Sequence, residues 1–226
     1  MRQDVFFFGC LVAISRLLLS VIHASLARLP VVDENGKLVG ILSQSRLVRF
    51  LGQHVKQFDF GSLTIKQTNL GVQCAFSPFS SISTLLPLSD RACRKVIAVS
   101  AKDKVATALA EIKSRKVSAV AVVDDNGVLV GNFSATDLKA LGYEDDIATI
   151  AGLDPLSKFV DKVKASAPDD EYPIAVEKTA TTASVIKKFA SAGVHRIYVV
   201  DAMRKPVGIV SLVDIIELFI RHILIE

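Results

Sequence analysis

Short apolar runs alternate with polar, turn-forming residues along this chain, and one such arrangement occurs three times. Residues 195–200 (HRIYVV) are apolar and β-branched enough for a buried strand. Residues 201–205 are polar and turn-forming, and residues 206–210 are a second short apolar run. Ser211 to Asp214 then open a helix whose Ile215, Ile216, Leu218 and Phe219 continue the core side. The same order of strand, turn, strand and helix recurs upstream. Residues 28–51 read RLPVVDENGKLVGILSQSRLVRFL, and residues 118–142 read SAVAVVDDNGVLVGNFSATDLKALG. In each copy an Asp closes the first strand (Asp33, Asp124, Asp201) and a Gly follows seven residues later (Gly40, Gly131, Gly208). A Ser stands three residues after each Gly: Ser43, Ser134 and Ser211. A unit repeated at this level of detail organises the whole chain.

The intervening segments supply the remaining elements. Residues 5–22 are the most apolar window, long enough to suggest a targeting segment or a short membrane span. Asp4 spoils a basic leader and Arg16 interrupts the window, whereas Ile14, Leu17, Leu18, Val21 and Ile22 fall at helical spacing; the expectation is a core helix. Residues 58–94 form a long Ser- and Thr-rich connection broken by Gly61, Gly71, Pro78 and Pro87, in which short helices are expected. A strand is predicted over residues 96–99, and a helix over 105–116 with Val105, Leu109 and Ile112 on one face. Asn126 and Gly127, like Asn35 and Gly36, mark tight hairpin turns. The second linker carries Glu144, Asp145 and Asp146, a solvated acidic helix start. It then enters a helical segment over residues 150–165 that breaks near Pro155. A strand over 174–176 and a helix over 182–192, terminated by Gly193, lead into the third copy.

Composition narrows the function classes. Half of the 226 residues are apolar, which excludes global disorder. The net charge of +4 is mild, and Lys and Arg are scattered among acids, so neither nucleic acid nor a membrane is expected as a partner. Cys10, Cys74 and Cys93 are odd in number and lack metal-type spacing; they read as small buried residues in a reducing compartment, cytoplasmic or nuclear. No nucleophile elbow, phosphate loop or zinc-protease motif occurs, and the four His residues are far apart, so no enzyme activity and no metal are expected. His23 and His54 lie in apolar helical contexts; His222 falls in the last helical turn, where a cation complements the helix dipole.

The Ser-x-x-Asp element at the helix starts admits two readings. A Ser followed three residues later by Asp is close to a capping box, which only stabilises the helix. The same carboxylate can accept both hydrogen bonds of a vicinal ribose diol, with Ser and backbone N–H groups taking polar oxygens. Spacing alone favours the cap.

Taken together, the VVD strand end, the Gly and the Ser-x-x-Asp helix start resemble the cystathionine-β-synthase (CBS) domain. Residues 195–201 with 208–214 are similar to the last CBS repeat of the γ subunits of AMP-activated protein kinase. Residues 117–124 are similar to the third repeat of that family, and residues 28–33 with 43–51 to the second; no counterpart of the first is present. The resemblance implies an α/β (α+β) fold of tandem CBS domains, each a small β-sheet with two helices, paired as a Bateman module. Repeats would span residues 1–57, 95–143 and 173–226, joined by linkers over 58–94 and 144–172. Repeats two and three should pair through their sheets, leaving the sheet of repeat one without a partner in the chain.

The resemblance also implies an adenine nucleotide (AMP, ADP or ATP) as ligand, with no other cofactor. Asp137 and Asp214 would hold ribose, alongside Ser134, Thr136 and Ser211. His195 and Arg196 would reach the phosphates, an Arg fork suiting phosphate oxygens. Arg28 keeps that place in repeat one, where Ala27 replaces the His; Ser118 and Ala119 match a purine-lining position. Arg46 stands where a ribose Asp would be, Ser45 replaces a Lys of the γ pattern, and Val213 replaces a Ser. The implied function is energy sensing as a γ-like subunit of a protein kinase complex. The implied partners are catalytic and scaffold subunits, or a homodimer through CBS repeats. The rivals are a CBS scaffold that binds no nucleotide, and a regulatory fragment of a transporter or enzyme.

Overall fold

The structure is a computed structural model, described over residues 28–71, 96–134, 155–166 and 172–225. The expected helix over residues 5–22, the acidic start at 144–146, the three Cys residues, and Thr136 and Asp137 lie outside these. Backbone contacts divide the chain into two units, one of residues 1–71, 178–197 and 210–226, the other of residues 72–177 and 198–209.

In the first unit, β1 (Arg28–Val32) and β2 (Leu38–Ser43) form an antiparallel hairpin, followed by α1 (Gln44–His54). Ser43 caps α1, its hydroxyl accepting the Arg46 N–H. α1 buries Val48 and Leu51 against two later helices, α5 (Thr182–Ala192) and α6 (Leu212–Ile225). α1 and α5 approach closely at Gly52, where a Cβ would lie 3.2 Å from that of Ala190.

The expected short helices follow α1: 3-10 turns at Val55–Gln57 and Asp59–Gly61, then α2 (Ile65–Thr68), closed by a Thr64–Gln67 capping box. This segment is stitched to the start of α5. The Leu63 carbonyl accepts both the N–H and the hydroxyl of Thr182, and the Ile65 N–H donates to the Ala180 carbonyl. Thr182 is fully buried, and these bonds satisfy it. α5 ends where Gly193 takes φ +64°, as the expected helix stop requires.

The second unit carries the sheet β3 (Ala98–Ser100), β4 (Ala119–Val123) and β5 (Leu129–Ser134), β3 parallel and β5 antiparallel to the central β4. One face is covered by α3 (Val105–Arg115) and α4 (Leu156–Ser166). Val105, Ala108 and Ile112 pack there with Val120, Val122, Phe133, Phe159 and Val160. Small Ala108, absent from the apolar triad expected for α3, proves fully buried, and Leu109 only partly so. α4 begins just after Pro155; the part of the expected helical segment before it lies outside the described residues. At Gly131 a Cβ would stand 2.6 Å from a Val160 methyl, so the recurring Gly lets helix and strand touch.

The third sheet is β6 (Ala175–Glu177), β7 (Arg196–Val200) and β8 (Pro206–Ser211), in that order, with β6 parallel to β7. Within the second unit, Tyr198 and Val200 pack against Ala121 and Leu129 of β4 and β5. Repeats two and three therefore pair through their sheets, as expected of a Bateman module. β3 and β6 each sit slightly C-terminal to the predicted strands, because Val96 and Ile174 approach the sheets before ladder pairing begins.

Repeat one differs in burial. Val32, Leu38 and Ile41 on its hairpin are 55%, 57% and 46% exposed. Their counterparts Leu129 and Val200 are 3% and 6% exposed.

Candidate functional site

The three hairpin turns are built alike. The carboxylate of Asp33 accepts the N–H groups of Asn35 and Lys37, that of Asp124 those of Asn126 and Val128, and that of Asp201 those of Met203 and Lys205, all at 2.8–2.9 Å. The recurring Asp thus folds the turn that it opens. Gly36 and Gly127 take the left-handed position of their turns at φ +78° and +77°; Arg204 holds it in repeat three at φ +59°.

Each turn returns the second strand beside the first, so the residue opening the first strand faces the Ser that starts the helix. Arg28 pairs with Ser43, and Ala119 with Ser134. In repeat three the His195 carbonyl accepts the Leu212 N–H at 3.3 Å, which brings His195 and Arg196 next to the start of α6. His195 is exposed, while Arg196, Ser211 and Asp214 are half-buried. The structure therefore groups His195, Arg196, Ser211 and Asp214 at one end of repeat three. In repeat two it sets exposed Ser118 and buried Ala119 at the start of β4, next to half-buried Ser134.

Ser211 and Asp214 cap each other. Asp214 Oδ2 accepts the Ser211 N–H at 2.6 Å and its hydroxyl at 2.8 Å, and the Asp214 N–H donates to Ser211 Oγ at 3.4 Å. This is a capping box with Asp in the third helical position. It holds the carboxylate at the positive end of a 14-residue helix, where backbone N–H groups favour anions. In repeat one, Arg46 at the matching position donates from its guanidinium to the Ile41 carbonyl at 3.2 Å. That site has a donor where repeat three has an acceptor.

Sequence reasoning missed the polar link beneath the paired sheets. The Tyr172 hydroxyl accepts the Asn132 N–H at 3.0 Å and donates to the Asn132 carbonyl at 2.9 Å, while the Tyr198 hydroxyl donates to Asn132 Oδ1 at 2.7 Å. Tyr172 thereby serves the outer edge of β5 as a strand partner would. Its signal in the sequence was only an isolated aromatic before Pro173. His222 packs edge-on to Phe60, ring centroids 5.0 Å apart, so it is part of an aromatic cluster in the last turn of α6. His54 likewise lies beside a ring, that of Phe50. Among the described residues no group of His, Cys, Asp and Glu could hold a metal ion, and no helix is long and apolar enough to cross a membrane.

The family model for the CBS domain matches residues 14–53, 89–143 and 170–221. Among curated proteins, Protein SDS23 of Kluyveromyces lactis is 30% identical over 210 residues, covering 84% of this chain and 39% of that protein. The 5'-AMP-activated protein kinase subunit gamma-3 of Homo sapiens is 27% identical over 230 residues, covering 95% of this chain and 42% of that one. This chain thus spans about two fifths of the length of these relatives. Among solved structures, a Methanocaldococcus jannaschii protein described as an archaeal homologue of γ-AMPK superposes with a TM-score of 0.63 at 14% identity, over 90% of this chain and 63% of that one. At that identity the likeness concerns the fold.

Proposed function

This chain belongs to the CBS-domain family, and we propose that within it the chain is a regulatory subunit that binds an adenine nucleotide, AMP, ADP or ATP. The observation that carries the reading is the grouping of His195, Arg196, Ser211 and Asp214 at the start of α6. An arginine fork, an imidazole N–H, a helix N-terminus and a carboxylate acceptor are the groups a nucleotide requires, the first three for phosphate and the last for ribose. Ser118, Ala119, Ser134, Thr136 and Asp137 form the corresponding set of repeat two in this proposal, and Arg28 that of repeat one. The relatives named as γ subunits support a kinase complex, with its catalytic and scaffold subunits, as the partner. Ligand binding then shifts the stability of one subunit arrangement over another.

The mutual cap of Ser211 and Asp214 favours a second reading, a scaffold that uses the carboxylate only to hold the helix. Melting curves separate the two. A ligand that binds only the folded chain stabilises it by about 2.7 kcal/mol at a hundredfold excess over its dissociation constant. A rise in melting temperature with any of AMP, ADP or ATP supports the sensor; curves unmoved by all three at millimolar concentration leave the scaffold.

A further inference from the structure

Asn132 is polar at a position where the other repeats are apolar. It follows the recurring Gly, and its counterparts there are Ile41 and Ile209. In the β4–β5 register Asn132 lies opposite Ala121, and Ser134 opposite Ala119, so these four side chains share one face of the hairpin. That face meets repeat three at Tyr198. The residue is held twice: the Tyr172 hydroxyl brackets its backbone N–H and carbonyl at 3.0 and 2.9 Å, and the Tyr198 hydroxyl donates to Oδ1 at 2.7 Å.

The simplest role for the amide is to satisfy the hydroxyl of buried Tyr198. That needs only an acceptor, and a carboxamide brings more: a second lone pair on Oδ1 and two N–H donors on Nδ2. Among the described residues Nδ2 forms no hydrogen bond, and Asn132 is half-buried, so the donor end is open to a ligand. Adenine offers the matching pair side by side, N6–H as donor and N1 as acceptor. Hypoxanthine offers the reverse, O6 as acceptor and N1–H as donor. An unrestrained amide suits either base by turning over. Here turning over would bring Nδ2 to the Tyr198 hydroxyl and take away the acceptor of its proton, so the orientation is fixed to suit adenine.

We propose that Asn132 is the base-reading residue of repeat two, with Nδ2 donating to adenine N1 and Oδ1 accepting an N6–H, and that Tyr198 positions it by fixing the amide. The inference rests on the nucleotide reading above, in which Ala119 lines the purine and Ser134 lies beside the ribose, one residue pair along the same face. It adds a selection between purines that repeats one and three, with Ile at this position, lack.

The test titrates AMP and, separately, inosine monophosphate (IMP) into the 226-residue chain as wild type, Tyr198→Phe and Asn132→Asp, with melting curves showing which proteins are folded. Calorimetry gives the affinities. NMR follows the Asn132 side-chain amide, assigned by its disappearance in Asn132→Asp. In wild type AMP shifts that resonance saturably, at concentrations about tenfold or more below those IMP needs, because IMP sets donor against donor. Tyr198→Phe frees the amide to turn over, so AMP still binds and the preference shrinks. Asn132→Asp keeps an acceptor for Tyr198 and replaces the donor nitrogen by oxygen, which suits the N1–H of IMP, so the preference reverses. A residue that only satisfied Tyr198 would leave the preference unmoved. AMP binding that leaves the Asn132 resonance in place overturns the inference while the nucleotide reading stands, as does one AMP-to-IMP ratio in all the folded proteins. Tyr198→Phe decides alone if Asn132→Asp does not fold. No binding of either nucleotide to wild type overturns both.

Discussion

One oxygen of the Asp214 carboxylate accepts both the backbone N–H and the hydroxyl of Ser211, at 2.6 and 2.8 Å. The residue proposed to hold ribose is therefore also the residue that closes the first turn of α6. The two roles are separable because the cap acts without ligand. Asp214→Ala should lower the stability of the nucleotide-free chain by about 0.5–2 kcal/mol, the range for a lost N-terminal cap. Asp214→Asn, which keeps an acceptor oxygen, should lose less. Urea unfolding of the three proteins checks this, and equal midpoints would remove the cap from the account.

Gly131 and Gly40 occupy the same position of their repeats in different surroundings. A Cβ at Gly131 meets a Val160 methyl at 2.6 Å, whereas at Gly40 the nearest atom is Val31 Cβ at 3.9 Å. Gly131→Ala should cost about 1–3 kcal/mol by overpacking. Gly40→Ala should change stability by about 0.5 kcal/mol or less. Thermal melts of the pair decide the matter, and similar losses in both would contradict the packing of α4 on β5.

Tyr172 reaches Asn132 twice through one hydroxyl. Tyr172→Phe removes both hydrogen bonds and keeps the ring, so a loss of about 1–3 kcal/mol is expected. Amide exchange at Asn132 should quicken with it. Unchanged exchange there would show that the hydroxyl does not hold the edge of β5.

Arg204 takes the left-handed turn position that Gly36 and Gly127 take in the other repeats. A non-glycine residue in that region costs about 1–2 kcal/mol, and glycine adds entropy to the unfolded chain. The net expectation for Arg204→Gly is a gain of up to about 1 kcal/mol, read as a higher melting temperature. A lower one would mean that the side chain of Arg204 contributes more than its backbone strain costs.

These residues also show how far the sequence reaches. The threefold spacing of Asp, Gly and Ser located the hairpin strands, and the helix starts of repeats one and three, within one or two residues, because each marks a local event: turn, close approach, cap. Pairing of the sheets of repeats two and three followed from counting repeats. Contacts between residues distant in sequence stayed hidden. Thr182 on Leu63, Tyr172 on Asn132 and His222 on Phe60 join segments whose meeting no local pattern encodes. The site was legible as a set of residue types. That Asp214 spends an oxygen on Ser211 depends on rotamers, which spacing does not fix.

The proposed nucleotide site is tested most directly by calorimetric titration of AMP, ADP and ATP into the wild-type chain and Asp214→Ala, with melting curves confirming that both are folded. Saturable binding of at least one nucleotide is predicted for wild type. Asp214→Ala should bind it about 1.5–3 kcal/mol more weakly, the worth of hydrogen bonds to a charged group, or roughly 10- to 150-fold. No saturable heat with any of the three, or equal affinity in the two folded proteins, would contradict the account and leave Asp214 as a helix cap alone.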